Sequence, residues 1–198
     1  LGPVVIVDSD AGRRRAMKEF VATFGPRAVS IFSFTASVAA KEATTAYVLV
    51  SSDAEVDILQ PLRRHTMLLR PKEVVAGIGC RRGVSAEEVR RGVRKAMREA
   101  GFSPLTLKRV ATIDIKRDEE GLLEFAASAG VGIDFFSPEE LNSINTVADS
   151  SPVVYRVTGA KAVAEPAAII SANTDKICQA KVKTERVTVA LARAPFML

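Results

Sequence analysis

Three stretches of this sequence bring together residue types that can do chemistry. The densest is Gly77-Ile-Gly79-Cys80-Arg81-Arg82-Gly83. Glycines let a ligand approach the backbone closely, and arginines supply charge-assisted donors. Directly after it, Ser85-Ala-Glu-Glu88 reads as a capping box that opens a helix. A helix N-terminus offers unpaired N–H groups to an anion, so the loop is a candidate anion site. Its spacing, G-x-G-x-x-x-G, departs from the dinucleotide fingerprint, and no Lys-Ser/Thr ending of a P-loop follows. A nucleotide-binding domain is therefore the weaker reading, and a purely structural glycine turn stays open. Cys80, beside a helix start and two arginines, reads as a thiol of lowered pKa. A small packing residue is the plainer reading of it.

The second stretch holds Asp114, Lys116 and Asp118 near the end of an expected strand. Asp114 could serve as a general base on water, Lys116 could hold an anion, and Asp118 could cap the next helix. An Asp114–Lys116 ion pair is the alternative. The third candidate is Glu165, a lone acid among Val163, Ala167 and Ala168. Buried there, it is a candidate acid or base; facing solvent, it is an ordinary helix residue. His65 and the run Arg13–Arg15 read as solvated surface residues.

The elements that must position these residues follow from periodicity. Val4–Val7 and Tyr47–Val50 read as strands. Asp8 or Asp10 caps a helix with the apolar stripe Met17, Phe20, Val21 and Phe24, stopped by Gly25-Pro26. Residues 32–44 suggest a second helix, and Ser52–Pro71 a connection with a short helix. A domain boundary falls near Pro71, giving residues 1–72 and 73–198. In the second part, strands are expected at Glu73–Ile78, Val110–Ile115 and Ile133–Phe136. Helices follow the caps at Ser85, Asp118 and Ser137. Val153–Thr158 and Ala162–Ser171 read as helices, the second bent or delayed by Pro166. Ile177–Val182 and Val187–Ala192 form a hairpin about Lys183-Thr-Glu-Arg186. Alternation of strands and helices predicts an α/β fold. It should be a three-layer α/β/α sandwich with a mostly parallel mixed sheet and a smaller N-terminal α/β lobe.

Composition narrows the function classes. Of 198 residues, 47% are hydrophobic, enough for a packed core, and no Trp is present to stack on single-stranded nucleic acid. No apolar run approaches the ~20 residues of a membrane helix, and Leu1–Val7 lacks the basic start of a signal peptide. Two cysteines and one histidine are too few for a disulfide framework or a zinc site, which predicts a reduced cytoplasmic protein. Residues Arg81–Arg117 carry eleven Lys/Arg against four Asp/Glu, whereas Asp118–Asp149 carry eight Asp/Glu and no Lys/Arg. The acidic stretch would repel nucleic acid, so a small polycarboxylate or phosphate suits the basic one better.

From about Glu73 onward the chain resembles the C-terminal domain of the CbiG family of anaerobic cobalamin biosynthesis. Leu69-Arg70-Pro71, Gly77–Gly83 and Ser85–Glu88 match its motifs in order. So do Ala111-Thr-Ile-Asp114-Ile-Lys116-Arg-Asp118-Glu119-Glu-Gly121-Leu122, Ser137-Pro-Glu139-Glu140-Leu141, Val154–Ala168 and Lys181–Ala190. Residues 1–72 resemble that family's central region more loosely. Its N-terminal Gly-His-x-Gly-Gly-Ala-Asn signature does not occur in these residues, and Ala164-Glu165-Pro166 departs from its usual pattern. The resemblance implies a cobalt-precorrin-5A hydrolase, or the substrate-binding part of one, opening a δ-lactone with release of acetaldehyde. Under it, Arg81, Arg82 and Lys116 clamp carboxylates, with Gly77, Gly79, Cys80 and Gly83 shaping the loop, and Asp114 or Glu165 activates water. No cofactor of its own is implied, since cobalt arrives within the substrate. A non-catalytic module like CobE, which binds or hands over corrinoid intermediates, is the alternative. Other pathway enzymes as partners and a homodimer stay open; nucleic acid and membrane are not expected partners.

Overall fold

The computed structural model describes residues 4–8, 10–11, 13–15, 18, 29–33, 46–56, 66–144 and 152–195. The chain divides into two compact units, one within residues 1–71 and the other Lys72–Pro195.

The first unit holds a four-stranded sheet in the order β2-β1-β3-β4, with β1 at Val4–Asp8, β2 at Val29–Ser33, β3 at Ala46–Val50 and β4 at Thr66–Leu69. All three pairings are parallel. β1 and β3 lie where expected; β2 and β4 were not anticipated. β4 corrects the reading of Ser52–Pro71 as a connection with a short helix. Asp10 caps the next turn by accepting the Arg13 N–H at 2.8 Å. Arg13 is not a solvated residue: it is buried, and its Nε and Nη2 donate to the two oxygens of buried Asp8, each at 2.8 Å. A buried charge needs such a partner, because desolvation otherwise costs far more than packing returns. The expected stripe Met17, Phe20, Val21 and Phe24 and His65 lie outside the described residues; of the second helix expected over 32–44, residues 32 and 33 belong to β2 instead and the rest lie outside the described residues.

The second unit is a five-stranded sheet in the order β7-β6-β5-β9-β8. Its strands are β5 (Val74–Cys80), β6 (Leu107–Ile113), β7 (Gly132–Phe136), β8 (Ile177–Lys183) and β9 (Val187–Arg193). β5, β6 and β7 run parallel, while β9 pairs antiparallel with β5 and with β8. The expected hairpin is therefore present, and its second strand sits beside the central strand. β6 begins earlier than the expected Val110 and stops at Ile113, where Asp114–Lys116 coil into a 3-10 turn.

Alternate residues of the strands bury against opposite layers, as a period of two requires. Val74, Ala76 and Ile78 pack with α1 (Ala86–Glu99) and α2 (Glu120–Ala129). Val75, Ala111 and Ile113 pack with Leu141 of α3 (Pro138–Asn142) and with α5 (Ala164–Ala172). Between these lies α4 (Pro152–Thr158). The unit is thus the expected three-layer α/β/α arrangement with a mixed sheet. Both capping boxes form as read: Ser85 and Ser137 each accept the N–H of the residue three ahead, and Glu88 and Glu140 return to their N–H groups. α5 starts at Ala164, two residues later than read, and Pro166 occupies its third position, where an N–H has no intrahelical partner. α5 lies so close to the sheet that a Cβ on Gly77 would stand 1.8 Å from the Ala164 carbonyl oxygen. Gly77 is there to admit the helix.

Candidate functional site

At the carboxyl ends of β5 and β6 a cleft of about 410 Å³ opens, the position where open α/β sheets place ligands. One wall is the end of β5 and its loop, with Gly79, Cys80 and Arg81. The floor includes Ile113 and Lys116. A second wall is the link from α4 to α5, with Thr158, Lys161 and Glu165. The third is the β8–β9 hairpin, with Lys181, Lys183, Glu185 and Arg186. Six cationic side chains face two carboxylates, so the cleft suits an acidic ligand of several carboxylates.

Local structure sets each of these groups. Asn142, at the end of α3, donates to the Gly159 carbonyl and accepts the Lys161 N–H, both at 2.8 Å, which pins Lys161 at the rim. Gly159, at φ +72°, makes the turn that this requires. The hairpin is tied to the β5 loop: Arg81 donates its backbone N–H to the Arg186 carbonyl at 3.0 Å, and Arg186 Nη2 donates to the Arg82 carbonyl at 2.7 Å. Arg81, Lys161 and Lys183 are exposed, and their side chains hold no hydrogen bond or ion pair among the described residues. Lys116 is buried, its ammonium 3.3 Å from Glu119 Oε2. Glu165, 8% exposed in the first turn of α5, accepts the Lys181 N–H on Oε1 at 3.2 Å. Its Oε2 is buried without a hydrogen-bond partner among the described residues. A carboxylate oxygen left so is costly unless something else is to meet it.

The structure sorts the residues singled out by sequence. Gly79, Cys80, Arg81, Lys116 and Glu165 share the cleft. Asp114 does not line it, although its Oδ1 is likewise buried and unpartnered. Its expected ion pair with Lys116 is absent among the described residues, because Glu119 takes that lysine. Arg82 does not line the cleft. Its Nη1 is bidentate to Asp118 at 2.8 and 2.9 Å, and its Nη2 donates to the Ile115 carbonyl at 3.1 Å. That ion pair holds the Asp118 carboxyl below its ordinary range. Asp118 therefore does not cap α2; Glu119 occupies the cap position, without a side-chain cap bond. Gly83, at φ +69°, turns the loop so that its N–H and that of Val84 point to Glu119 Oε1, at 2.7 and 3.1 Å. The loop's anion pocket is thus filled by the protein's own carboxylate. Burial pushes the Cys80 thiol up, against the pull of Lys116 and Arg186, the opposite of the lowered pKa its arginine neighbours suggested and in keeping with the plainer reading as a packing residue. Lys161, Lys181, Lys183, Arg186 and Glu119 were missed. The run Lys181-Val-Lys183 carried a signal, since alternate strand residues share a face.

Fold and site together define an α/β domain with a basic cleft at the carboxyl edge of its sheet. The chain belongs to the family described as cobalamin synthesis G C-terminus, which it matches over residues 74–192, and the resemblance read from the motifs is thereby confirmed. It is 41% identical over 130 residues to the cobalt-precorrin-5A hydrolase of Priestia megaterium, an alignment covering 66% of this chain and 34% of that one. The chain thus spans about a third of that relative's length. It is 32% identical to protein CobE of a Sinorhizobium species, over 60% of this chain and 79% of that one. Among solved structures, CobE from the cobalamin (vitamin B12) biosynthetic pathway matches with a TM-score of 0.57 and 36% identity, covering 66% of this chain and 96% of that chain. No helix among the described residues is long and apolar enough to cross a membrane, and none of their His, Cys, Asp and Glu clusters could hold a metal ion.

Proposed function

We propose that the cleft grips the acidic side chains of a cobalt-carrying tetrapyrrole and that the chain takes part in opening the δ-lactone of cobalt-precorrin-5A. The observation that carries this reading is Glu165, a buried carboxylate with one unpartnered oxygen, set in a cleft whose other charges are mostly cationic. Exposed Arg81, Lys161 and Lys183 hold substrate carboxylates at the rim. Glu165 takes a proton from water as the water oxygen attacks the lactone carbonyl carbon. The Lys116 ammonium, deeper in the cleft, holds the acyl group of the lactone, stabilises the oxyanion that forms on it and keeps the carboxylate that results. Collapse breaks the acyl C–O bond and leaves an alkoxide and a carboxylic acid, which gives up its proton to solvent to become a carboxylate. The alkoxide closes to a carbonyl as its bond to the macrocycle carbon breaks, which accounts for acetaldehyde, and the macrocycle keeps the electron pair. Cobalt belongs to the substrate; the protein needs no cofactor in this scheme. The reaction belongs in the reduced cytoplasm, with other cobalamin-pathway enzymes delivering and removing the corrinoid and a homodimer as the assembly to test first.

A carrier role like that of a CobE protein is the second reading. It is supported by the likeness to CobE, a protein of the cobalamin biosynthetic pathway, at 36% identity and a TM-score of 0.57. Incubating the chain with cobalt-precorrin-5A and measuring acetaldehyde separates the two. Acetaldehyde at a catalytic rate supports hydrolysis. Saturable binding with no acetaldehyde overturns it in favour of the carrier.

A further inference from the structure

We propose that Glu119 is a positioning residue of the cleft, whose single carboxylate fixes the Gly83–Val84 backbone with one oxygen and the Lys116 ammonium with the other. Glu119 is 4% exposed and does not line the cleft, so it meets no substrate. Its Oε1 accepts from Gly83 and Val84 at 2.7 and 3.1 Å, and its Oε2 from Lys116 at 3.3 Å. Two consecutive N–H groups converging on one oxygen form a small anion nest, and here the anion is internal.

Two further features show that this contact is built. Gly121, two residues on, is pressed against the loop: a Cβ there would stand 2.0 Å from the Val84 carbonyl oxygen. Only a residue without a side chain lets the first turn of α2 come this near. On the outside, Arg82 straps the same two segments through Asp118 and the Ile115 carbonyl. An exposed ion pair of this kind is weak, whereas a buried carboxylate with three donors is costly to disturb. The buried strap therefore does most of the joining. The β5 loop and the 3-10 turn Asp114–Lys116 are held as one piece, and they carry Arg81 and Lys116 into the cleft from adjacent strands.

The structural half of this claim stands on those contacts alone, and the functional half rests on the proposed reading of the cleft. The full chain serves for both tests. Glu119→Gln keeps an oxygen for the loop but loses the charge that holds Lys116; Glu119→Ala loses both. Amide hydrogen exchange should find Gly83 and Val84 protected in wild type and Glu119→Gln, and at least about tenfold faster in Glu119→Ala. Equal protection in all three overturns the loop contact; should Glu119→Ala not fold, exchange in Glu119→Gln as fast as in an open loop overturns it equally. For the lysine, the probe is cobyrinic acid, a cobalt corrin whose side chains end in carboxylates. Lys116→Met and Glu119→Gln should each weaken its binding by about tenfold, the loss of one charge-assisted hydrogen bond. The double variant should bind no worse than either single one, because both act through one ammonium. Multiplying effects, or wild-type binding by Glu119→Gln, overturn the positioning of Lys116. Wild-type protein that fails to bind cobyrinic acid refutes the corrinoid reading instead, and the exchange comparison then decides the Glu119 claim by itself.

Discussion

Arg81 and Arg82 are neighbours of one residue type, yet replacing them should have unlike effects. Arg81 lines the cleft, and its guanidinium holds no partner among the described residues. Arg82 does not line it and is tied to Asp118 and to the Ile115 carbonyl. If Arg81 meets a substrate carboxylate, Arg81→Ala removes a charge-assisted hydrogen bond of about 1.5–3 kcal/mol. That is roughly a tenfold to hundredfold loss of affinity. Arg82→Ala removes an exposed ion pair and a hydrogen bond to the Ile115 carbonyl, neither in the cleft, and should leave corrinoid affinity within about twofold of wild type. Titrating cobyrinic acid by calorimetry at low and moderate salt gives both numbers. The wild-type affinity should fall as salt rises, because rim charges are screened, and the salt dependence should be shallower in Arg81→Ala. Equal losses in the two variants, or a larger loss in Arg82→Ala, would refute the assignment of the cleft.

Other outcomes follow from the packing and the charges. Gly77→Ala puts a Cβ against backbone atoms of α5 that cannot rotate away, the Ala164 oxygen at 1.8 Å and the Ala168 nitrogen at 2.7 Å. It should cost about 3 kcal/mol or more in urea unfolding, and an unchanged midpoint would mean that α5 does not pack so closely. Glu88 is held below its ordinary value of 4.5, chiefly by the Ser85 backbone N–H. A depressed folded pKa gives stability that is full above the ordinary value and is lost as pH falls through the folded one. Wild type should therefore exceed Glu88→Gln in urea midpoint at neutral pH, with the gap closing below about pH 4.5; a constant gap would contradict this. Burial pushes the Cys80 thiol above its ordinary value of 9.0. In a Cys178→Ser background it should react with iodoacetamide at neutral pH more slowly than a free thiol peptide, and faster reaction would restore it as a nucleophile.

What the sequence made legible was mostly local. The boxes at Ser85 and Ser137 are decided by residues three apart, so they were readable without knowing what the helices pack against. The strand–helix alternation after Glu73 was readable for the same reason, and it fixed the α/β class. β4 was not, because Thr66–Leu69 is an edge strand whose partner, β3, lies well back in the chain. Arg13 shows the limit of reading charge as exposure: its partner Asp8 is five residues away and both are buried. The cleft was half visible. The Gly77–Gly83 loop and Lys116 stood out by residue type, and Glu165 by its apolar neighbours. Its third wall did not, since β9 reaches β5 only through antiparallel pairing across more than a hundred residues. Asp118 did not take the cap position expected of it because either acid could stand there, and only the fold turns Glu119 inward.

The most direct test of the account is single-turnover release of acetaldehyde from cobalt-precorrin-5A by wild type and Glu165→Gln, with bound corrinoid measured in parallel. Gln keeps the shape of the side chain and an oxygen for the Lys181 N–H, but it cannot take a proton from water. The account predicts that Glu165→Gln binds the corrinoid within a few-fold of wild type and releases acetaldehyde at least about a hundredfold more slowly, the range for loss of a general base. Release at the wild-type rate by Glu165→Gln would contradict it, and so would wild-type protein that binds the corrinoid tightly and releases no acetaldehyde.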